Sequence, residues 1–600
     1  MQLSFFVESM PHATSAAVHY RIELPDPRTH RYHVTLTIEK PAARQRVSLP
    51  VWIPGSYLVR EFSRHLAHLR AAQGGKTVAL TQLNKCEWQV ACRKGEPLTL
   101  HYEVLASDRS VRTAWLDATR GFFNATSLCL RVHGHEHAAH ELHVARPQGH
   151  ADWKLATALT PVKAARHGFG SYRAASYDEL ADSPVEMGAF QSLRFTACGV
   201  PHRLVISGAS ASLDSARLVR DVQRICEEEI RFWSADARAP FDRYLFLLSV
   251  VDEGYGGLEH RSSTALVCGR RDLPRLDEAK APEGYTTLLG LFSHEYFHAW
   301  NVKRMRPKEL ARYDYTQENY TGLLWFFEGF TSYYDDLLLR RAGLIDQGAY
   351  LKLLAKTINQ VLQTPGRHVQ SVAQASFDAW VRYYRPDENT PATTVSYYTK
   401  GALVALCFDL ALRRAGRCTL DDVMRALWVH SSGGPITEAD VRQVLRRTSG
   451  RHWDEELQAW VHGTAELPLA ELLGAHGVAL KSDTPQMAQR LGLRVQETSG
   501  VQIKLVLAGS CAERAGLMAG DEWLGVEVTG ADGAGNGWRL KKLDDLPLYA
   551  GRARELTALV ARDARLLRLP LTLPAPDAIG DTVQLSITDA ALADQWLGMP

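Results

Sequence analysis

The sequence predicts a multidomain α+β protein, and three observations predict it. Six hundred residues exceed what one hydrophobic core organises, so three or four domains are expected. Apolar–polar alternation of period two fills the first third, and helix-like apolar periodicity fills the middle. Short strands and glycine-rich turns return after about residue 470. The expected domains are 1–185, a β-sandwich-like domain; 186–468, a mixed region with an α-helical lobe; and 469–600, a small domain of strands and turns.

The hydrophobic share of 46% and charged share of 23% are those of an ordinary globular chain. A net charge of +2 gives no reason to invoke nucleic acid or an anionic membrane as partner. Nine cysteines, an odd number without a C-x-x-C pair, argue against a disulfide framework and against a cysteine zinc site. The opening MQLSFFVESMP lacks the basic region and apolar length of a signal peptide, and no stretch approaches the ~20 apolar residues of a membrane span. A cytoplasmic location is the expectation.

In chain order, residues 17–24, 32–38 and 98–104 alternate as half-buried strands do. Two stretches interrupt them, Val51 to Phe62 and Thr113 to Leu128, rich in Gly, Pro, Asn and aromatics. Such loops either bind something or pack on the next domain, and both readings stand. Residues 214–233 read as a helix and 244–251 as a buried strand. The strand leads into Gly256-Gly257-Leu258-Glu259-His260, where glycines beside a lone carboxylate suggest close approach by another group. The alternative is a turn with a solvated Glu.

An apolar helix-like run from Thr287 to Val302 carries His294-Glu295-Tyr296-Phe297-His298. Residues four apart share a helix face, so the two imidazoles can grip one Zn²⁺. Glu295, about 100° round the helix, is placed for general-base work rather than ligation. A buried helix with two satisfied histidines is the bland alternative, and a third ligand decides between them. A second helix is expected over 321–339, with Asp314 and Gln317 at capping-box spacing marking its start. Glu318 sits among polar neighbours at that start. Glu328 stands in Trp325-Phe326-Phe327-Glu328-Gly329-Phe330, where an unpaired carboxylate would be costly to bury, so it is the chosen ligand. Gly329 lowers helix propensity by roughly 1 kcal/mol, which makes sense if another helix approaches there. Two His, one Glu and an open fourth position describe a catalytic rather than a structural site, with one Zn²⁺ per chain.

Helices are further expected over 347–362 and 401–414, after a cap at Thr419, and over 437–446. Ser396-Tyr397-Tyr398-Thr399-Lys400-Gly401 precedes the second of these.

The runs HEYFHAWNVKRMRP and YDYTQENYTGLLWFFEGFTSYY resemble the glycyl aminopeptidase family of zinc metallopeptidases, and more loosely the aminopeptidase N family. The first resemblance implies a preference for N-terminal Gly or Ala, similar loops in the N-terminal domain and a PDZ domain at the C-terminus. The second implies that Glu259 of Gly256–His260, with Leu and His where that family has Met and Asn, holds the substrate's free amine beside Gly257. It also implies that Tyr398 of Tyr398-x-Lys400-Gly401 donates to the oxyanion, with Tyr397 the neighbour one residue off. A mixed lobe joined to a helical lobe is similar to thermolysin, by analogy. Residues 507–524 are similar to a PDZ core, with Arg490–Arg494 in its carboxylate-binding loop and an unusual glycine-rich insert over 529–538.

The reading is a zinc aminopeptidase acting on peptides with a free, small N-terminal residue, with a peptide or protein C-terminus as a further partner of the PDZ-like domain. Its rivals are a zinc endopeptidase and a PDZ-bearing adaptor whose zinc fold is only a scaffold. An intact Glu295 argues against the scaffold, which needs ligands but no base.

Overall fold

The computed structural model describes residues 16–529, 535–575 and 582–598. The opening MQLSFFVESMP and residues 530–534 of the glycine-rich insert therefore lie outside the described residues. The chain forms two compact units.

In the first unit (16–223, 239–291 and 313–318), alternation becomes sheet. An eight-stranded sheet contains Val18–Glu23, Arg31–Ile38 and Leu98–Leu105 as consecutive antiparallel neighbours. Along Arg31–Ile38 every second residue is buried, as a sheet with one face on a core requires. Two four-stranded sheets supply further residues to the same core: Val47, Trp88 and Val90 from one, Leu116, Leu155 and Val185 from the other. The N-terminal region is thus β-rich, as expected.

A five-stranded sheet follows in the order Gln191–Ala197, Val200–Ser207, Tyr244–Val251, Ser263–Gly269, Gly256–Glu259. Its three inner strands run parallel. Tyr244–Val251 is central and buried over all but its last residue, which explains its unbroken apolar run. Gly256–Glu259 is an edge strand, paired among the described residues with Ser263–Gly269 alone.

The second unit (224–238, 292–312 and 319 onward) is largely helical. Helices form at Gln347–Leu362, Thr399–Ala415, Leu420–Ser431 and Glu438–Ser449. Thr419 and Thr437 each close a capping box, with Asp422 and Asp440 as partners. Two helical expectations are corrected. The run carrying the histidines is helical over Glu283–Phe297 and then tightens into turns rather than continuing to Val302. The second helix does not start at Asp314, because that carboxylate accepts from Thr316 N and Oγ1 in a local turn. The helix begins at Leu324, where Ser376 Oγ accepts from Trp325 N. It is broken at Glu328 into Leu324–Phe327 and Gly329–Arg341.

The C-terminal residues form an antiparallel sheet with the order Leu493–Gln496, Val501–Val506, Glu522–Thr529, Glu555–Arg562, Arg565–Thr572, and Gly535–Arg539 off Glu522–Thr529. The chain then leaves this sheet. Val583–Ile587 pairs with Val478–Ser482, and the helix Ala590–Leu597 buries Trp596 with its Nε1 donating to Tyr333 Oη at 3.1 Å. Among the described residues, no helix is long and apolar enough to cross a membrane.

Candidate active site

Helix geometry assembles the centre of the second unit. His298 N donates to His294 O at 3.3 Å, so the i, i+4 relation survives although the regular helix stops one residue earlier. The imidazole Nε2 atoms stand 3.1 Å apart. Glu328 Oε2 lies 3.5 Å from His294 Nε2 and 3.2 Å from His298 Nε2. Tetrahedral ligands about 2.0–2.1 Å from one zinc ion are separated by roughly 3.3 Å, so the three donor atoms fit Zn²⁺. They form the cluster able to hold a metal among the described residues. His298 and Glu328 are 1% and 2% exposed, which leaves these groups dependent on each other or on a cation.

Burial would raise the Glu328 carboxyl, but the imidazoles of His298 and His294 hold it down at about 2. Burial would lower His294, but hydrogen bonds to Asp335 and Glu328 and the charges of Asp335 and Glu295 push it well above the usual imidazole range.

The orienting partners were not legible in the sequence. Asp335 Oδ2 accepts from His294 Nδ1 at 3.0 Å, and the Asn301 carbonyl accepts from His298 Nδ1 at 2.7 Å. Each bond turns Nε2 toward the centre. The one available signal for Asp335 was its spacing, seven residues after Glu328 and so on the same helix face. Asn301 Nδ2 also donates to Phe327 O and Thr331 Oγ1, both at 3.2 Å, tying the exit of the histidine helix to the helix of Glu328. Val302 follows with φ +131°, a strained value for a β-branched residue of the kind found beside functional sites.

Gly329 answers to a close approach. A Cβ there would fall 2.5 Å from Gly401 Cα, and one at Gly401 would fall 2.7 Å from Trp325 O. Two glycines let the helices Gly329–Arg341 and Thr399–Ala415 touch backbone to backbone, which brings Tyr398 beside the cluster. Its ring lies 6.3 Å from that of His294. Tyr397 stacks behind it at 4.7 Å and is wholly buried. Burial and the negative charge of Glu328 raise the Tyr398 hydroxyl well above the phenolic range, so it stays a donor. Glu295 is 5% exposed. Phe326, Phe327 and Phe330 are core residues packed on one another and on Trp325.

Gly257 and Glu259 belong to the first unit, on the edge strand Gly256–Glu259. Arg112 Nη2 donates to Gly257 O at 2.9 Å. Glu259 is 5% exposed, and among the described residues its carboxylate makes no ion pair or hydrogen bond.

A paired-histidine helix, an intervening glutamate and a downstream glutamate within donor distance of both imidazoles define the class of zinc metallopeptidases. Two family models match the chain: the Peptidase M61 N-terminal domain over residues 19–189 and M61 glycyl aminopeptidase over 287–404. A solved aminopeptidase N family protein from Idiomarina loihiensis is 37% identical, with a TM-score of 0.91, over 97% of this chain and 100% of that one. An M1 zinc metallopeptidase from Deinococcus radiodurans aligns at 15% identity and a TM-score of 0.47, over 75% and 93% of the two chains. No curated protein matches. The chain belongs to the M61 glycyl aminopeptidase family, and it is a zinc-dependent peptide hydrolase.

Proposed function

We propose that the protein is an aminopeptidase that removes small N-terminal residues, Gly or Ala, from peptides. The observation that carries the reading is Glu259, a buried carboxylate that no described protein cation neutralises. Keeping such a charge requires a cation, and a substrate's terminal ammonium supplies one through a charge-assisted hydrogen bond worth roughly 1.5–3 kcal/mol. An anchored amine limits cleavage to the first peptide bond.

In this reading His294, His298 and Glu328 hold one Zn²⁺ per chain. When bound, the ion polarises the scissile carbonyl and acidifies the attacking water toward a pKa of about 7. Glu295 accepts that water's proton and passes it to the leaving amine. Tyr398 donates its hydroxyl hydrogen to the developing oxyanion, supported by its place beside His294 and its high pKa. Tyr397, buried behind it, buttresses the donor.

The test compares a Gly-initiated peptide with its N-acetylated form. The free peptide should be cleaved and the acetylated one ignored, and Glu259→Ala should lower kcat/KM about ten- to a hundredfold with zinc retained. Efficient cleavage of the acetylated peptide would make the protein an endopeptidase.

The division into domains 1–185, 186–468 and 469–600 belongs to the same proposal, with a thermolysin-like catalytic region and a PDZ-like C-terminal part. The latter reading is supported by the open edge of Leu493–Gln496 in the C-terminal sheet and by the Arg490–Gly492 segment at a helix end beside it. A peptide C-terminus is the ligand such an edge would take.

A further inference from the structure

The aromatic loops of the N-terminal domain have no part in the chemistry above, yet in the first unit they meet the Glu259 strand. Gly55, in the first loop, has φ +92° and lies against the Glu259 carboxylate. A Cβ at residue 55 would fall 2.4 Å from Oε1 and 2.6 Å from Oε2, distances that real side chains do not sustain. Glycine is thus required twice, by the left-handed backbone and by the space the carboxylate fills.

The turn itself is stiff. Ser56 N donates to Ile53 O at 3.1 Å, Arg60 N to Val51 O at 2.7 Å and Arg60 Nη2 to Ser56 Oγ at 2.7 Å. Trp52, wholly buried, donates from Nε1 to Asp314 O at 2.7 Å. The strand opposite is held from the same domain at both ends. Arg112, immediately before the second aromatic loop, donates to the Gly257 carbonyl. Asp182 accepts from His260 Nδ1 at 3.2 Å and from Arg261 N at 3.0 Å. Glu259 is therefore a carboxylate fixed between two clamps, with uncharged backbone on one side of it.

We propose that the Ile53–Ser56 turn is one wall of the subsite for the substrate's terminal ammonium, and that Gly55 is the positioning residue that sets the Glu259 carboxylate within it. The proposal rests on the reading of Glu259 as the amine anchor. It makes the N-terminal β-domain part of substrate selection, because a side chain at residue 55 displaces the acid that the ammonium must meet.

Gly55→Ala, Glu259→Ala, the double variant and Gly55→Ala/Glu259→Asp, each in the full chain, test it. The readouts are kcat and KM on Gly-initiated peptides, zinc content and thermal midpoint. Gly55→Ala should raise KM about ten- to a hundredfold with a smaller change in kcat and zinc retained. Added to Glu259→Ala it should leave KM unchanged and lower the midpoint less than it does in the wild type. The shorter acid of the Asp variant, which clears the new methyl group, should recover part of the loss. An equal further rise in KM in the Glu259→Ala background would overturn the proposal, as would insolubility of both Gly55→Ala and the double variant, since glycine would then serve the backbone alone. Insolubility of Gly55→Ala with a soluble double variant would support it. If Glu259→Ala itself leaves KM and the preference for free amines unaltered, the anchor reading fails instead, and the midpoints still report whether Gly55 yields to Glu259.

Discussion

Single residues set the chemistry of the centre, and four expectations belong at this scale. Glu328→Ala should lose zinc while Glu318→Ala keeps it, read by metal content. Glu295→Gln should keep zinc and lose about 10²–10⁴-fold in kcat, and Tyr398→Phe about 10²–10³-fold with little change in KM. Near-normal turnover by either variant would remove its residue from the mechanism. The third concerns protons. His294 has a raised pKa, so its proton stays on through neutral pH until zinc displaces it, and acid favours the metal-free form. Zinc uptake at pH 7 should therefore release at least one proton, measured by calorimetry in buffers of differing ionisation enthalpy. Zinc affinity should fall as pH drops through the His294 pKa. Asp335→Ala, which removes the orienting carboxylate, should weaken zinc binding about 10–100-fold.

Elements hold those residues by contact of backbone with backbone. The pair Gly329 and Gly401 is the clearest case, because neither position has room for a methyl group. Gly329→Ala should cost about 1–3 kcal/mol, the usual range for overpacking, and should also lower kcat by moving Tyr398 relative to His294. A variant with the wild-type thermal midpoint would show that the helices can separate freely. Caps matter less: Thr437→Ala removes one capping box and should cost about 1 kcal/mol without touching turnover.

At the scale of the whole molecule, the C-terminus is not an appendage. After the last sheet strand the chain returns to the helices: Asn359 Nδ2 donates to Val583 O at 2.8 Å, Val583 N donates to Asn359 Oδ1 at 2.7 Å, and Trp596 is buried against Tyr350. Trp596→Ala should cost about 3–5 kcal/mol in the chemical or thermal unfolding of the helical unit. Loss confined to the C-terminal sheet, with the transition of the helical unit unmoved, would contradict this packing.

The sequence by itself determined whatever depends on local periodicity and local chemistry. The i, i+4 histidines, the improbable carboxylate at Glu328, the buried run Tyr244–Val251 and the caps at Thr419 and Thr437 are each decided within a few residues of chain. The glycine beside Glu328 even announced a close approach, though not the partner. Tertiary structure alone decided that Gly401 is that partner, that Asp335 orients the His294 imidazole, and that a turn fifty-odd residues into the chain presses on Glu259. These are contacts between residues tens to hundreds of positions apart, and no local pattern encodes them. The helix misplaced at Asp314 has the same cause. A local hydrogen bond to Thr316 and a distant acceptor at Ser376 outweighed a capping spacing that, taken alone, was sound.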